Sequence, residues 1–528
     1  MDPDKALESA LTAHRAGNLN AAVDAYEAII AEHTDHAGAW LNLGAARRQL
    51  GNLSDAISAL QRAVELAPDH PGVLYNLANA LADDAQLAAA AERLRDAIGA
   101  DPNFADAYNN LGELMHRQGQ FDEASAVLRN GLQVAPGHIG MMTNLANACH
   151  GLGQTQDALA LLNEAAASAP ENADILRNLG NVLRTCGRTQ DAEEALRRAL
   201  SLNANDAEAH CLLAFCQFAS GQFGPAWNSY GWRWHAPSHE AARPFSQPVW
   251  DGSDIGGKKL LVWGEQAVGD EIMFATMYHD LADQGADITI ETEHRLHPLF
   301  SRSFPDFRVV ERRTPPAPAL QTAAFDFQIA GGDLGGHLRP DAGHFERNRP
   351  YLKPDPDKAA NFRHTYEEMA GGRRRIGISW RSGAEQAGLA RSVPLRSLEP
   401  LLRRNDCWFV NLQYGDVTSE LASLERETGI AVYGDPAVDP LHDLEAAAAQ
   451  IAALDLVISA ANTTVHMAGA LGIPTWVLLS PTPDWRWMTT GNGSPWYPTL
   501  RLFRQMENTE RATIISAVAD ALDIHLSK

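Results

Sequence analysis

From residue 3 to about residue 220, apolar and small positions return with a fixed period of 34. Starts at 3, 37, 71, 105, 139, 173 and 207 align three columns. These are Trp40, Leu74, Tyr108, Met142 and Leu176; Leu43, Leu77, Leu111, Leu145 and Leu179; and Ala56, Ala90, Ala124, Ala158 and Ala192. Proline closes four consecutive units at Pro68, Pro102, Pro136 and Pro170, and glycine recurs in mid-unit at Gly17, Gly51, Gly119, Gly153, Gly187 and Gly221. A period of this length predicts a repeat architecture in which each unit buries its apolar face against the next. The seventh unit decays into FGPAWNSYGWRWHAP, which predicts a cap. Beyond residue 257 the pattern changes. KKLLVW (258–263), ADITIE, FRVV and FDFQIA read as strands, GEQAVGD as a turn and EIMFATMYHDLADQG as a helix. After the proline-rich break RNRPYLKPDPD (347–357), RRIGISW, CWFVNLQ, LDLVIS and PTWVLL read as strands, with helices around 397–403, 418–428, 443–453 and 463–471. Alternation of this kind predicts open α/β layers.

The repeat pattern of large apolar residue, Leu-Gly, Ala and Pro resembles the tetratricopeptide repeat, a helix–turn–helix unit that stacks into a superhelix. The expected organisation is a repeat domain over 1–236, a Pro-, Trp- and Gly-rich linker over 237–257, and two Rossmann-like halves over 258–350 and 351–528. One column calls for more than packing. Asn42, Asn76, Asn110, Asn144 and Asn178 share the sixth place of their units, with Asn79, Asn147 and Asn181 three residues further on. Asparagine costs a helix interior roughly half a kcal/mol against alanine. A carboxamide on the inner face can pair with the main chain of an extended peptide whatever its sequence. Such a ladder resembles the one in the repeat domain of the protein O-GlcNAc transferases, which grips acceptor polypeptides. The other reading is hydrogen bonding between neighbouring repeats.

Composition narrows the partners. A formal charge of −23 over 528 residues disfavours nucleic acid and anionic membranes. No apolar run approaches the ~20 residues of a membrane span, so a soluble cytoplasmic protein is expected. Cys149, Cys186, Cys211, Cys216 and Cys407 are odd in number and form no CxxC pair, which suits reduced thiols. His294 and His297 lack further ligands close in sequence, and no metal site is expected.

In the C-terminal part GEQAVGD has neither the G-x-G-x-x-G spacing nor a GK[ST] ending, so it is a tight turn carrying Asp270 and Glu271 at a helix start. ISAANTTVHMAGALG (458–472) places Asn462, Thr463 and Thr464 at another helix start, either as an ordinary cap or as a site where free N–H groups meet an anion. Together GEQAVGDEIMF, ISWRSG, RSVPL, LQYG, DLVISAANTTVHMAGALG and DWRWM…SPWYPTLRLFRQ resemble glycosyltransferases related to the bacterial heptosyltransferases that carry an N-terminal tetratricopeptide domain, among them flagellin glycosyltransferases. The resemblance implies an α-solenoid followed by a GT-B fold, and a metal-independent, inverting transfer. It makes Asp270 the general base and places Ser379, Arg381, Ser382, Gln413, Asn462, Thr463, Thr464 and His466 around the donor phosphates. The family's usual aspartate is here Ala461, so a different or more anionic donor is an option. The loop 381–392 is a candidate lid, and Trp485, Trp487, Trp496 and Tyr497 are candidates for stacking on base or sugar or for core packing.

The expected function is therefore a protein O-glycosyltransferase. It would move a sugar from a nucleotide-sugar co-substrate, with no other cofactor, to Ser or Thr of a polypeptide held by the repeats, flagellin being the leading candidate. The alternatives are a scaffold with an inert GT-B part and a transferase acting on a lipid or polysaccharide acceptor.

Overall fold

A computed structural model of the chain describes residues 3–321, 324–383, 388–506 and 509–527. The chain forms two compact units, Met1–Leu183 and Arg184–Lys528. Helix pairs begin where the period predicts: Pro3–Arg15 with Leu19–Glu32, Ala37–Gln49 with Leu53–Leu66, Pro71–Asp83 with Leu87–Ala100, Ala105–Arg117 with Phe121–Val134, and Ile139–Gly151 with Thr155–Ser168. Ala173–Thr185 with Thr189–Leu202 and Ala207–Ala219 with Phe223–Tyr230 complete the series. The mid-unit glycines turn the chain with φ between 75° and 80°, a left-handed conformation that costs any residue with a Cβ. Ala85 holds that place in the third unit at φ 59°. In the first unit of the fold, the columns read from sequence form continuous cores, such as Leu60, Leu74, Leu77, Leu94, Leu111 and Ala124.

The second unit carries two sheets. The first contains β1 (Lys259–Trp263), β2 (Asp287–Thr292), β3 (Arg308–Glu311) and β4 (Phe327–Ala330) in the order β3-β2-β1-β4. The second contains β5 (Arg374–Ser379), β6 (Cys407–Asn411), β7 (Leu456–Ala460), β8 (Thr475–Leu479) and β9 (Leu500–Arg504) in the order β6-β5-β7-β8-β9. All pairings are parallel. Both faces of such sheets are covered by helices, so their strands are apolar throughout. Strand β7, for example, is buried at every position. The edge strand β9 and the helices Pro356–Ala370 and Arg511–Leu526 were not among the expected elements. LRLFR interleaves arginine with apolar residues, and Pro356–Ala370 buries only Ala359, Tyr366 and Ala370, so neither gives a strong periodic signal. The helix expected from Glu271 starts earlier, at Val268, and breaks into Val268–Phe274, a 3-10 turn at Ala275–Met277, and Tyr278–Ala282. Asp270 therefore sits inside a first helical turn.

The segment expected as a linker runs beside β4: Trp250 N–H donates to Gln328 O at 2.9 Å, and Gln328 N–H to Pro248 O at 2.9 Å. The seventh helix pair packs as part of the α/β unit. Phe218, Phe223, Trp227 and Tyr230 share one core with Leu260, Val262, Phe274, Trp485 and Trp496. Trp227 Nε1 donates to Arg339 O at 2.9 Å, and the Phe218 ring stacks on Trp485 at 4.7 Å. The apolar residues that break the repeat consensus are the ones that the sheets need.

Candidate functional site

In the second sheet, apolar strands deliver polar residues to their C-terminal ends, where a parallel α/β layer presents its loops. Asn462 caps the helix Thr463–Leu471, its Oδ1 accepting Thr464 N–H at 3.0 Å. Its Nδ2 donates to Ser379 Oγ at 2.7 Å and to Arg381 O at 2.9 Å. Ser379 Oγ donates to Gln413 Oε1 at 3.1 Å, which also accepts the N–H groups of Trp380 at 2.9 Å and Arg381 at 2.7 Å. Ser379, Gln413 and Asn462 thus form one buried knot that shapes the turn after β5. Arg381 joins it through its main chain only. Its guanidinium turns to Glu420 Oε2 at 3.5 Å and Asp416 O at 3.5 Å, and its side chain is 41% exposed. Ser382 N–H donates to Ser392 Oγ at 3.0 Å. The proposed lid 381–392 includes 384–387, which lie outside the described residues.

Thr464 and His466 are buried, while Thr463 is half-buried. His466 Nδ1 lies 3.0 Å from Tyr497 Oη, and its ring lies against Trp487 at 5.2 Å. Burial, with Arg486 and Arg391 nearby outweighing Asp484, lowers the imidazole to about 3, so it is neutral at pH 7. Gly269 faces this histidine. A Cβ there would lie 3.2 Å from His466 Cδ2 and 3.6 Å from Thr463 Oγ1, so Gly269 lets the helix carrying Asp270 approach the start of Thr463–Leu471.

Asp270 Oδ1 accepts from Arg486 Nε at 3.0 Å and from Arg486 Nη2. Arg486 Nη1 donates to Asp484 Oδ1 at 2.6 Å, and Arg391 Nη2 donates to Asp484 Oδ2 at 3.0 Å. Burial opposes ionisation of Asp484, but the two guanidiniums overcome it and hold the carboxyl at about 2. The Arg486 guanidinium lies over Trp485 at 4.4 Å. Arg486 escaped the sequence reading, although an arginine between two tryptophans in DWRWM has to find buried partners. Trp485, Trp487, Trp496 and Tyr497 are all buried.

The neighbouring acids are already engaged. Glu265 accepts Arg233 Nε at 2.9 Å, Arg233 Nη2 at 2.7 Å and Gly332 N–H at 2.8 Å. Burial opposes its charge, and Arg233 prevails, holding the carboxyl at about 2. Glu271 accepts Thr292 Oγ1 at 2.6 Å and Glu293 N–H at 3.0 Å, with Arg312 Nη1 at 3.2 Å. Here burial wins and pushes the carboxyl up to about 7. Among the described residues no group of three or more His, Cys, Asp and Glu is placed to hold a metal, and no helix is long and apolar enough to cross a membrane.

In the repeats, the asparagine column divides. Asn42 and Asn76 Nδ2 donate back to Gly38 O and Gly72 O at 2.7 Å. Asn110 Nδ2 reaches the preceding repeat, donating to Tyr75 Oη at 2.9 Å and Asn79 Oδ1 at 2.9 Å. Asn144 Nδ2 donates to Asn109 Oδ1 at 3.1 Å, and Asn109 Nδ2 to Asn110 Oδ1 at 3.2 Å. All five column members, Asn178 included, are half-buried. Inter-repeat bonding therefore operates at Asn110 and Asn144.

Residues 7–71, 103–171 and 150–214 each match models of the tetratricopeptide repeat. Over 314 residues the chain is 36% identical to Protein FlbA of Caulobacter vibrioides, an alignment covering 55% of this chain and 52% of that protein. The chain thus spans about half the length of the curated relative it matches. Similar solved structures include MamA, at 25% identity over 30% of this chain and 91% of that one, with a TM-score of 0.29. A tetratricopeptide repeat protein from Parabacteroides merdae is 15% identical over 43% of this chain and 91% of that one, with a TM-score of 0.39. The N-terminal part of the chain is a helical solenoid of tetratricopeptide repeats, followed by parallel α/β sheets.

Proposed function

We propose that the chain is a protein O-glycosyltransferase whose two sheets form a GT-B pair, moving a sugar from a nucleotide-sugar to Ser or Thr of a polypeptide held by the repeats. The observation that carries this reading is the meeting of Asp270, from the helix after β1, with Arg486 and with the start of the helix Thr463–Leu471 from the other sheet. Displacement at an anomeric carbon needs a carboxylate to take the hydroxyl proton, and N–H groups and positive charge for the departing phosphate. Asp270 supplies the first requirement, and the N–H groups at the start of the helix Thr463–Leu471, the positive end of its dipole, the second. The acceptor oxygen bonds to the anomeric carbon as the carbon–phosphate oxygen bond breaks. The proton passes to Asp270, and the nucleotide leaves with the bonding electrons. Attack opposite the leaving group inverts the anomeric centre. The carboxamides of Asn42 and Asn76, which bond within their own helices rather than to a neighbouring repeat, supply main-chain contacts for the acceptor, for which flagellin is the leading candidate through the family resemblance. A non-catalytic scaffold is the second reading, favoured by Ala461 at a position where the related enzymes carry aspartate.

The test is intact-mass analysis of flagellin co-expressed with the wild-type chain or with Asp270→Asn. A mass increment of one or more sugars with the wild type, absent with the variant, supports transfer. No increment with the wild type favours the scaffold.

A further inference from the structure

Resting on the transfer reading above, we propose that Arg486 is a positioning residue for the base, gripping the Asp270 carboxylate by Oδ1 so that Oδ2 is the oxygen that takes the acceptor proton. Both N–H groups that reach Asp270, Nε and Nη2, fall on Oδ1. Oδ2 has no partner among the described residues, and 13% of the Asp270 side chain is open. A carboxylate held by one edge presents one lone-pair direction, which is what a proton transfer of defined geometry requires.

Arg486 is itself immobilised. Its Nη1 is taken by Asp484, whose other oxygen is held by Arg391. The loop that carries it is clamped by Arg504 on β9, whose guanidinium donates to the carbonyls of Trp487 at 2.6 Å, Gly491 at 2.8 Å, Met488 at 2.9 Å and Thr490 at 3.1 Å. Thr489 N–H adds a bond to Ala219 O at 2.9 Å. An arginine whose role was to follow a mobile phosphate would not need its fork shared between two carboxylates on a pinned loop.

The charged and titratable groups that face Asp270 are Arg486, with Asp484 and Arg391 behind it, and the hydroxyls of Tyr230 and Tyr497.

The experiment compares the wild-type full chain with Arg486→Gln and Arg486→Lys. It measures kcat and KM for nucleotide-sugar, and binding of CMP, UDP and GDP by calorimetry. The positioning role predicts that Arg486→Gln loses at least tenfold in kcat. KM for nucleotide-sugar and nucleotide affinity should hold within about twofold. Arg486→Lys, which keeps the charge without the fork, should restore only part of kcat. Should the glutamine variant fail to fold by circular dichroism, the lysine variant decides: a wild-type kcat overturns the proposal. Loss of nucleotide binding also overturns it and makes Arg486 a phosphate ligand. A wild type inert with every donor and acceptor overturns the transfer reading and this role together, and is recognised because the wild type itself fails.

Discussion

Glu271 and Asp270 are adjacent in the chain and meet opposite surroundings: one is walled in, the other is paired and partly open. The Glu271 carboxyl stays neutral in the folded chain up to about pH 7 but ionises near 4.5 when unfolded. Its contribution to stability is therefore complete below pH 4.5 and is lost as pH rises through 7. Glu271→Gln, neutral throughout, should gain up to ~3 kcal/mol over the wild type between pH 4.5 and 8, read from denaturant midpoints at several pH values. Ala85 offers a second test. Its φ of 59° sits where the other repeats carry glycine, so Ala85→Gly should raise the stability of the repeat unit by ~1 kcal/mol. The asparagines differ in the same concrete way. Asn110→Ala should cost more than Asn42→Ala, by about 1 kcal/mol, because it removes two bonds to the preceding repeat rather than one to its own helix. The fivefold column was legible in the sequence. Which amides turn to a neighbour was not, since that depends on Tyr75 and Asn79 lying a repeat away.

At the scale of elements, the short 3-10 turn Gly231–His235 is more than a cap. Arg233 lies between the Tyr230 and Trp234 rings at 4.2 Å and 4.1 Å and pairs with Glu265 and with Asp333 Oδ1 at 2.5 Å. Its side chain and that of Glu265 are only 2% and 3% exposed. Arg233→Met leaves a buried carboxylate without its countercharge and should cost 3–5 kcal/mol, on the order expected for breaking a buried pair. Chemical denaturation at pH 7 measures it. A milder wedge is Gly335→Ala. The new methyl would stand 2.2 Å from the Trp227 ring, and overpacking of this kind costs roughly 1–3 kcal/mol. The strands β1 to β8 and the helix start after β7 were legible as apolar runs followed by small polar residues, whereas the helix after β1 begins three residues before the expected Glu271, at Val268. The partners of Arg233 and Arg486 were not. They are separated by 32 and 216 residues, and charge pairing across such distances leaves no local signal.

For the whole molecule, the compact unit beginning at Arg184 sets where the chain can be cut. A chain starting at Pro244, just inside the expected linker, would lose Phe218, Phe223, Trp227 and Tyr230 from the core that also holds β1. It should be insoluble or lack a cooperative transition, whereas residues 184–528 should unfold cooperatively in calorimetry. A cooperative, soluble chain from Pro244 would show that those aromatics are dispensable. The sequence by itself determined the repeat register, the change from helical repeat to α/β alternation, and the polar turns that end the strands. Those are local or strictly periodic patterns, set by side-chain size and backbone preference within a few residues. Tertiary structure alone decided that the seventh repeat belongs to the α/β core. It also decided that Glu265 and Glu271 are spent on folding while Asp270 faces Arg486, because burial and charge pairing are properties of the packed chain, in which residues far apart in sequence share one desolvated space.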